Sequence, residues 1–130
     1  MINILVLGSN GMLGSHFCQT VKSSKKLKLT KFSRKNFSLD LTKKLDVRKL
    51  LKIASPEIII NFCGLTDVDY CENFPKEADL VNAKIPKNLS EFSGYLIHIS
   101  TDQVYPGIRG NYEENDSFPI NEYGKSKLKG

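Results

Sequence analysis

Two short segments of this chain combine residue types and spacings that suit chemistry. The first, GSNGMLG at residues 8–14, follows an apolar run at residues 2–7. Gly8 permits a tight turn, Gly11 lets backbone amides approach a pyrophosphate, and Gly14 lets the next helix pack close to the strand. A diphosphate would then lie at the positive N-terminus of that helix. The segment predicts a dinucleotide-binding turn, with a purely structural glycine turn as the alternative.

The second segment, YGKSK at residues 123–127, places a phenol and an ammonium four positions apart. On a helix this spacing puts Tyr123 and Lys127 on one face. There the cation favours the phenolate, which makes Tyr123 usable as a proton donor or acceptor. Tyr and Lys also recur by chance on basic helices, so this segment is informative only together with the glycine turn. The two together predict a nicotinamide oxidoreductase.

The chain between these segments alternates between strand and helix patterns. Strands are predicted at residues 2–7, 28–32, 57–62 and 95–100, and helices at residues 12–21, 46–54 and 77–92. Ile-rich strands without polar alternation are typical of an α/β fold with a parallel sheet covered on both faces. Ligands of such sheets bind at the carboxyl ends of the strands. Four segments are therefore expected to share one crevice: residues 8–14, 32–35, 61–66 and 100–102.

Six segments resemble the extended short-chain dehydrogenase/reductases, and within them the dTDP-4-dehydrorhamnose reductases. They are GSNGMLG, SRKNFSLDLT, IINFCGLTDVDYCE at 59–72, VNA at 81–83, HISTDQVYPG at 98–107 and PINEYGKSKLKG at 119–130. Their order and spacing carry the resemblance, which extends over essentially the whole chain. It implies a Rossmann-type doubly wound parallel sheet, incomplete on its C-terminal side, within an NAD(P)-binding domain at residues 1–130.

The resemblance also implies an activity, the reduction of a nucleotide-linked 4-keto-6-deoxysugar with NADPH or, in some relatives, NADH. By position, Tyr123 would protonate the alkoxide forming at C4 while the nicotinamide delivers hydride, and Lys127 would hold the nicotinamide ribose. Thr101 would donate a hydrogen bond to the substrate carbonyl, with Ser100 as a nearby hydroxyl. A strand end with polar capping residues is the alternative for this Ser-Thr-Asp segment.

Further cofactor contacts are implied after the second strand. Ser33 and Arg34 stand where NAD-dependent enzymes usually carry an acidic residue, and they suit a 2′-phosphate, with a solvated basic loop as the alternative. Asp40 would accept a bond from the adenine amine or serve as a turn residue. The complete predicted cofactor set is Gly8, Asn10, Gly11, Met12, Leu13, Gly14, Ser33, Arg34, Asp40, Leu41, Cys63, Gly64, Tyr123 and Lys127.

Other polar residues are less specific. Thr66, Asp69 and Glu72 fit a substrate-side loop of the family, and as charges before a helix they are alternatively N-terminal caps. His98 has no partner visible in the sequence and is interpreted, like His16, as a core or surface residue.

Composition agrees with an ordinary cytoplasmic domain. Nineteen basic and 14 acidic residues give a formal net charge of +5, but no basic stripe is interleaved with aromatics, so nucleic acid is not an expected partner. The three cysteines form no metal-like pairs and are interpreted as reduced thiols, and no metal site is expected. No apolar run predicts a membrane segment. The expected partner is a nucleotide sugar, and a homodimer is an open expectation.

The length of the chain leaves more than one function open. One domain of this size is normal, yet relatives are about twice as long, so the chain is expected to be an N-terminal fragment with little turnover on its own. A dinucleotide-binding or regulatory module without turnover is one alternative. A nucleotide-sugar epimerase or dehydratase is another, although those enzymes usually carry an acidic residue after the second strand, which is absent here.

Overall fold

The computed structural model of the protein describes residues 1–33 and 37–130. Within these residues four strands form one parallel sheet: β1 (Ile2–Leu7), β2 (Leu27–Phe32), β3 (Ile58–Asn61) and β4 (Tyr95–His98). The helices are α1 (Met12–Thr20), α2 (Lys44–Ala54), α3 (Val68–Asn73), α4 (Pro75–Asp79), α5 (Ile85–Leu89) and α6 (Glu122–Lys129). A π turn at Leu80–Lys84 joins α4 to α5, and single 3-10 turns lie at Asp102–Val104 and Glu114–Asp116.

The sheet has the strand order β2-β1-β3-β4, and every neighbouring pair is parallel. Ile4 of β1 pairs with Leu29 of β2 and with Ile58 of β3, and Ile58 pairs in turn with Tyr95 of β4. The α/β class and the parallel sheet predicted from the sequence are confirmed. Because the chain moves to opposite sides of β1 after successive crossovers, the topological switch point lies between β1 and β3, where ligands of such sheets bind.

Burial explains why β1 is central. Leu5, Val6 and Leu7 are fully buried, as is Ile59 in β3. A cluster on one face combines Ile4, Val6 and Ile60 with Cys18 from α1, and removing each such side chain from water stabilises the fold by roughly 1.5–3 kcal/mol. The continuous apolar pattern of β1 therefore reflects burial on both faces.

The two outer strands differ in character. β2 exposes Lys28 and Lys31, charges that discourage pairing with another chain. β4 instead exposes Tyr95 (77 %) and Ile97 (48 %). None of the helices within the described ranges is long and apolar enough to cross a membrane.

The described chain forms two compact units. The first comprises Met1–Cys63 and Asn88–Ile99, and it holds the sheet. The second comprises Gly64–Lys87 and Ser100–Gly130. Its apolar cluster consists of Cys71, Ala78 and Tyr123, against which Leu65 and Val68 pack.

The predicted element bounds shift slightly, one predicted helix needs correction, and one helix was not predicted. Helix α3 was not predicted; Asp67 begins it by accepting a hydrogen bond from the Tyr70 amide at 2.9 Å. The helix predicted at 77–92 begins at Pro75 and ends at Leu89, with the π turn in its middle. Proline fits a first helical turn because its missing amide has no partner there in any case.

Candidate functional site

The glycine turn after β1 is enforced by close backbone contacts. Gly8 has φ +73°, and a Cβ built on it would lie 2.9 Å from the Cys63 nitrogen. A Cβ on Gly14 would lie 2.3 Å from the Gly8 carbonyl oxygen, a distance that real side chains do not adopt. Both positions therefore require glycine, and Gly14 lets α1 approach the turn as predicted.

Gly11 has a different role from the other two glycines. It caps α1 with extended backbone, and among the described residues its hypothetical Cβ would meet only the Gly8 carbonyl oxygen within 4 Å, at 3.3 Å. The first turn of α1 carries no acidic residue and no side-chain cap. Met12 (84 % exposed) and Leu13 (55 %), like Asn10, leave the surface of this helix end open. An anion can thus approach the backbone amides here, which is what a pyrophosphate requires.

Serines lie at the ends of β1 and β2 in the same unit. Ser9 Oγ donates to the Phe32 carbonyl at 3.2 Å and so ties the turn to β2. Ser33 Oγ is buried and has no hydrogen-bond partner among the residues that the structure describes. A buried hydroxyl of this kind fits a polar ligand atom. Arg34, the predicted partner of a 2′-phosphate, lies outside the described residues.

Asp40 and Leu41 are held by the chain itself. The Asp40 carboxylate accepts hydrogen bonds from the Thr42 hydroxyl (2.7 Å) and amide (3.0 Å), and these bonds hold the pKa of Asp40 below its usual value. This geometry is the turn that sequence analysis gave as the alternative role for Asp40. Leu41 is buried, and its carbonyl accepts from Asn88 Nδ2 at 2.9 Å.

The predicted acid–base residues lie in the second unit, on α6. Asn121 begins this helix by accepting from the Gly124 amide at 2.7 Å. Tyr123 and Lys127 are both buried, with exposures of 8 % and 5 %. The Tyr123 ring packs in the cluster with Cys71 and Ala78. The helical spacing predicted for this pair is confirmed, and the helix presents both residues to the interior of the unit.

Thr101 precedes the 3-10 turn against which α6 packs. The Thr101 hydroxyl oxygen accepts a hydrogen bond from the Gln103 amide at 3.3 Å and so caps this turn. The same hydroxyl group donates to the Asp102 carboxylate, also at 3.3 Å. Asn121 Nδ2 donates to Gln103 Oε1 at 2.7 Å. Capping, the alternative interpretation of this segment, is thus present in the structure alongside a half-buried hydroxyl.

A buried polar network that the sequence did not predict lies behind α6. Asn82, within the π turn, is fully buried, and its amide group bonds both backbone groups of Leu65, at 2.8 and 2.9 Å. It also donates to Ser126 Oγ at 3.0 Å, and that hydroxyl donates to the Tyr123 carbonyl at 2.8 Å. The residues of this network lie in the VNA and YGKSK segments, but the sequence carries no information about the contact between them.

The substrate-side residues divide between two roles. Glu72 accepts from the Glu122 amide at 3.0 Å and so caps α6. Asp69 lies in the first turn of α3, where a negative charge complements the helix dipole. Thr66 is exposed. Gly64 is not sterically required, because a Cβ there would make only ordinary contacts with Asn82 and Thr66 at 3.6 Å.

Comparison with known proteins decides the family. A family model described as the RmlD substrate binding domain matches residues 2–130. The chain belongs to the RmlD substrate-binding domain family. The resemblance to the dTDP-4-dehydrorhamnose reductases is thereby confirmed.

The chain is similar to proteins named dTDP-4-dehydrorhamnose reductase. A dTDP-4-dehydrorhamnose reductase of Salmonella typhimurium is 32 % identical over 99 % of this chain and 45 % of its own length. The crystal structure of such a reductase from Clostridium acetobutylicum superposes with a TM-score of 0.86 at 31 % identity, over 97 % of this chain and 46 % of that one. A Bacillus anthracis reductase, solved in complex with NADP, also gives 0.86, at 29 % identity over 99 % and 48 %. The chain spans about half the length of the curated relatives it matches.

Proposed function

We propose that this chain is the NAD(P)-binding part of an NADPH-dependent reductase that acts on a nucleotide-linked 4-keto-6-deoxysugar. Its family and its reductase relatives support this reaction class. The Bacillus anthracis relative, solved with NADP, supports the choice of cofactor. Residues 1–130 would form one functional domain, with the sugar bound partly by residues beyond this part of the family fold.

The residues present fit a dinucleotide. The amides at the start of α1, around Gly11, would bind the pyrophosphate, because neither an acidic residue nor a capping side chain competes there. The buried hydroxyl of Ser33, together with Arg34, would bind the 2′-phosphate. Cys63 and Gly64 would lie beneath the cofactor, with Asn10, Met12 and Leu13 along the turn.

The bound cofactor would supply hydride to C4 of the sugar. Thr101 would donate a hydrogen bond from its hydroxyl group to the C4 carbonyl oxygen, keeping its own proton, and so stabilise the charge that develops there. Tyr123 would then give its phenolic proton to that oxygen, completing the 4-hydroxyl group. Lys127 would orient the ribose and, as a cation, would favour the phenolate left on Tyr123.

The observation that carries this proposal is the close contact of α6 with the turn after Thr101. A Cβ on Gly124, the residue after Tyr123, would lie 2.2 Å from the Gln103 carbonyl oxygen. Two hydroxyl-bearing residues are thereby fixed in one unit on elements that touch each other. A fixed donor and a fixed acid are what carbonyl reduction needs.

Cofactor choice gives a direct experiment. Calorimetric titration of the chain should show tighter binding of NADPH than of NADH. Arg34→Ala should remove much of that difference, because a charge-assisted bond to phosphate contributes roughly 1.5–3 kcal/mol. Lys22→Ala, which removes an exposed cation after α1, is the matched control and should leave the preference intact. A preference for NADH in the parent chain would contradict the proposal.

A further inference from the structure

A buried pair of polar side chains lies at the ends of β3 and β4. Asn61 is fully buried, and its backbone partner across the two strands is His98. Asn61 Nδ2 lies 3.1 Å from His98 Nδ1. The other half of the same amide, Oδ1, accepts from the Cys63 backbone N–H at 3.0 Å. A buried amide group that leaves a donor or acceptor without a hydrogen bond lowers the stability of the fold, so these two bonds constrain the structure around Asn61.

The hydrogen bond from the Cys63 amide identifies which atoms of Asn61 and His98 donate and which accept. A backbone N–H can only donate, so the Asn61 atom facing Cys63 must be the oxygen. The amide nitrogen therefore faces His98 and donates to Nδ1. His98 must then accept at Nδ1, which makes it a neutral imidazole with its proton on Nε2. The imidazole thus fixes the orientation of the amide, and the amide fixes the Cys63 N–H.

The position of Cys63 matters because it lies against the glycine turn. The hypothetical Cβ of Gly8 would lie 2.9 Å from the Cys63 nitrogen and 2.9 Å from the Phe62 carbonyl carbon. The Phe62 amide donates to the Leu7 carbonyl at 3.0 Å, and the Gly8 carbonyl accepts from the Gly11 amide at 3.0 Å. A shift of the Cys63 backbone would therefore be transmitted to the turn that begins α1, since the atoms have no free space between them.

We propose that Asn61 and His98 form a positioning pair for the glycine turn: His98 Nδ1 orients the Asn61 amide, which holds the Cys63 N–H against Gly8. The role in cofactor binding rests on the proposed function. His98 does not touch the ligand in this account; it acts through Asn61 and Cys63. This gives His98 a role that its isolated position in the sequence did not suggest.

Two substitutions at His98 separate positioning from simple packing. Asparagine places an acceptor oxygen near the position of Nδ1, whereas leucine fills similar space without an acceptor. His98→Leu should speed hydrogen exchange of the Cys63 amide by about tenfold and weaken NADPH binding by about threefold to tenfold, the effect of one lost hydrogen bond. His98→Asn should retain most of both properties. His16→Leu, at an exposed position on α1, is the control and should change neither.

Nitrogen-15 spectra of the imidazole provide a readout that a packing role would not produce. At about pH 8, above the ordinary imidazole pKa of ~6.5, His98 should show a protonated Nε2 and an unprotonated Nδ1. A proton on Nδ1, parent-like Cys63 exchange in His98→Leu, or equal losses in His98→Leu and His98→Asn would each overturn the positioning pair. Failure of the parent chain to bind NADPH would instead contradict the proposed function, while amide exchange would still decide whether the pair holds Cys63.

Discussion

Gly124 and Gln103 are in such close contact that no side chain fits between them. A Cβ on Gly124 would lie 2.2 Å from the Gln103 carbonyl oxygen and 2.9 Å from Pro119 Cβ. Helix α6, which carries Tyr123 and Lys127, is thus pressed onto the turn that Thr101 caps. The glycine inside YGKSK is therefore a packing requirement of the candidate active site.

Gly124→Ala should destabilise the protein. Alanine gains about 1 kcal/mol of helix propensity over glycine, but a methyl group at 2.2 Å forces α6 away from the backbone at Gln103, and overpacking costs about 1–3 kcal/mol or more. We expect a net loss of about 1–2 kcal/mol in urea unfolding. Gly110→Ala is the matched control, because its Cβ would meet no atom of the described part of the chain within 4 Å. Equal stability of the two variants would show that α6 does not depend on this contact.

Gly11→Val should separate binding from folding. The backbone of Gly11 is extended, and a Cβ there would lie 3.3 Å from the Gly8 carbonyl oxygen, a tight contact that a small shift of the turn can relieve. The valine side chain would occupy the volume proposed for the pyrophosphate. We expect NADPH binding to be lost in calorimetry while the unfolding midpoint stays near that of the parent. Gly110→Val, outside the turn, should bind NADPH normally. Unchanged binding by Gly11→Val would place the phosphates elsewhere.

The sequence predicted the parts of this fold that depend on local pattern. The apolar run at residues 2–7 became β1 with its predicted bounds, and the glycine spacing predicted a turn that the structure contains. Strand order was not predicted, because Ile4 pairs with residues 25 and 54 positions away and nothing local specifies those partners. Turn residues and apolar runs predict the local conformation of the chain but not which strands pair with one another.

In the candidate site, too, local features were predictable from the sequence and long-range contacts were not. The helical spacing of Tyr123 and Lys127 was predictable, since four positions make one turn. The hydrogen bond from Asn82 to Ser126 was not predictable, because it joins residues 44 positions apart. Asn82 also lies in a π turn, which the sequence periodicity does not indicate. His98 was likewise interpreted without its partner Asn61, which lies on another strand. Long-range polar contacts are invisible to pattern analysis.

Thiol reactivity should differ between Cys71 and Cys63. Burial raises the pKa of the Cys71 thiol, and Cys71 is fully buried, whereas Cys63 is half-buried after β3. Because the thiolate is the reactive form and a raised pKa keeps the thiol protonated as pH increases, iodoacetamide at about pH 8 should label Cys63 well before Cys71. NADPH should slow labelling of Cys63, measured by peptide mass spectrometry. In urea the two rates should converge; equal rates in the native protein would contradict the assigned burial.

The most direct measurement is ketosugar reduction by a chain of family length that carries these 130 residues as its N-terminal half, joined to the remainder of the Salmonella typhimurium relative. Oxidation of NADPH with a dTDP-4-keto-6-deoxysugar should fall about 10²–10⁴-fold in Tyr123→Phe, while NADPH affinity stays near the parent value. Tyr95→Phe, at an exposed position on β4, should leave the rate unchanged. A Tyr123→Phe chain as fast as its parent would contradict the assignment of Tyr123 as the acid.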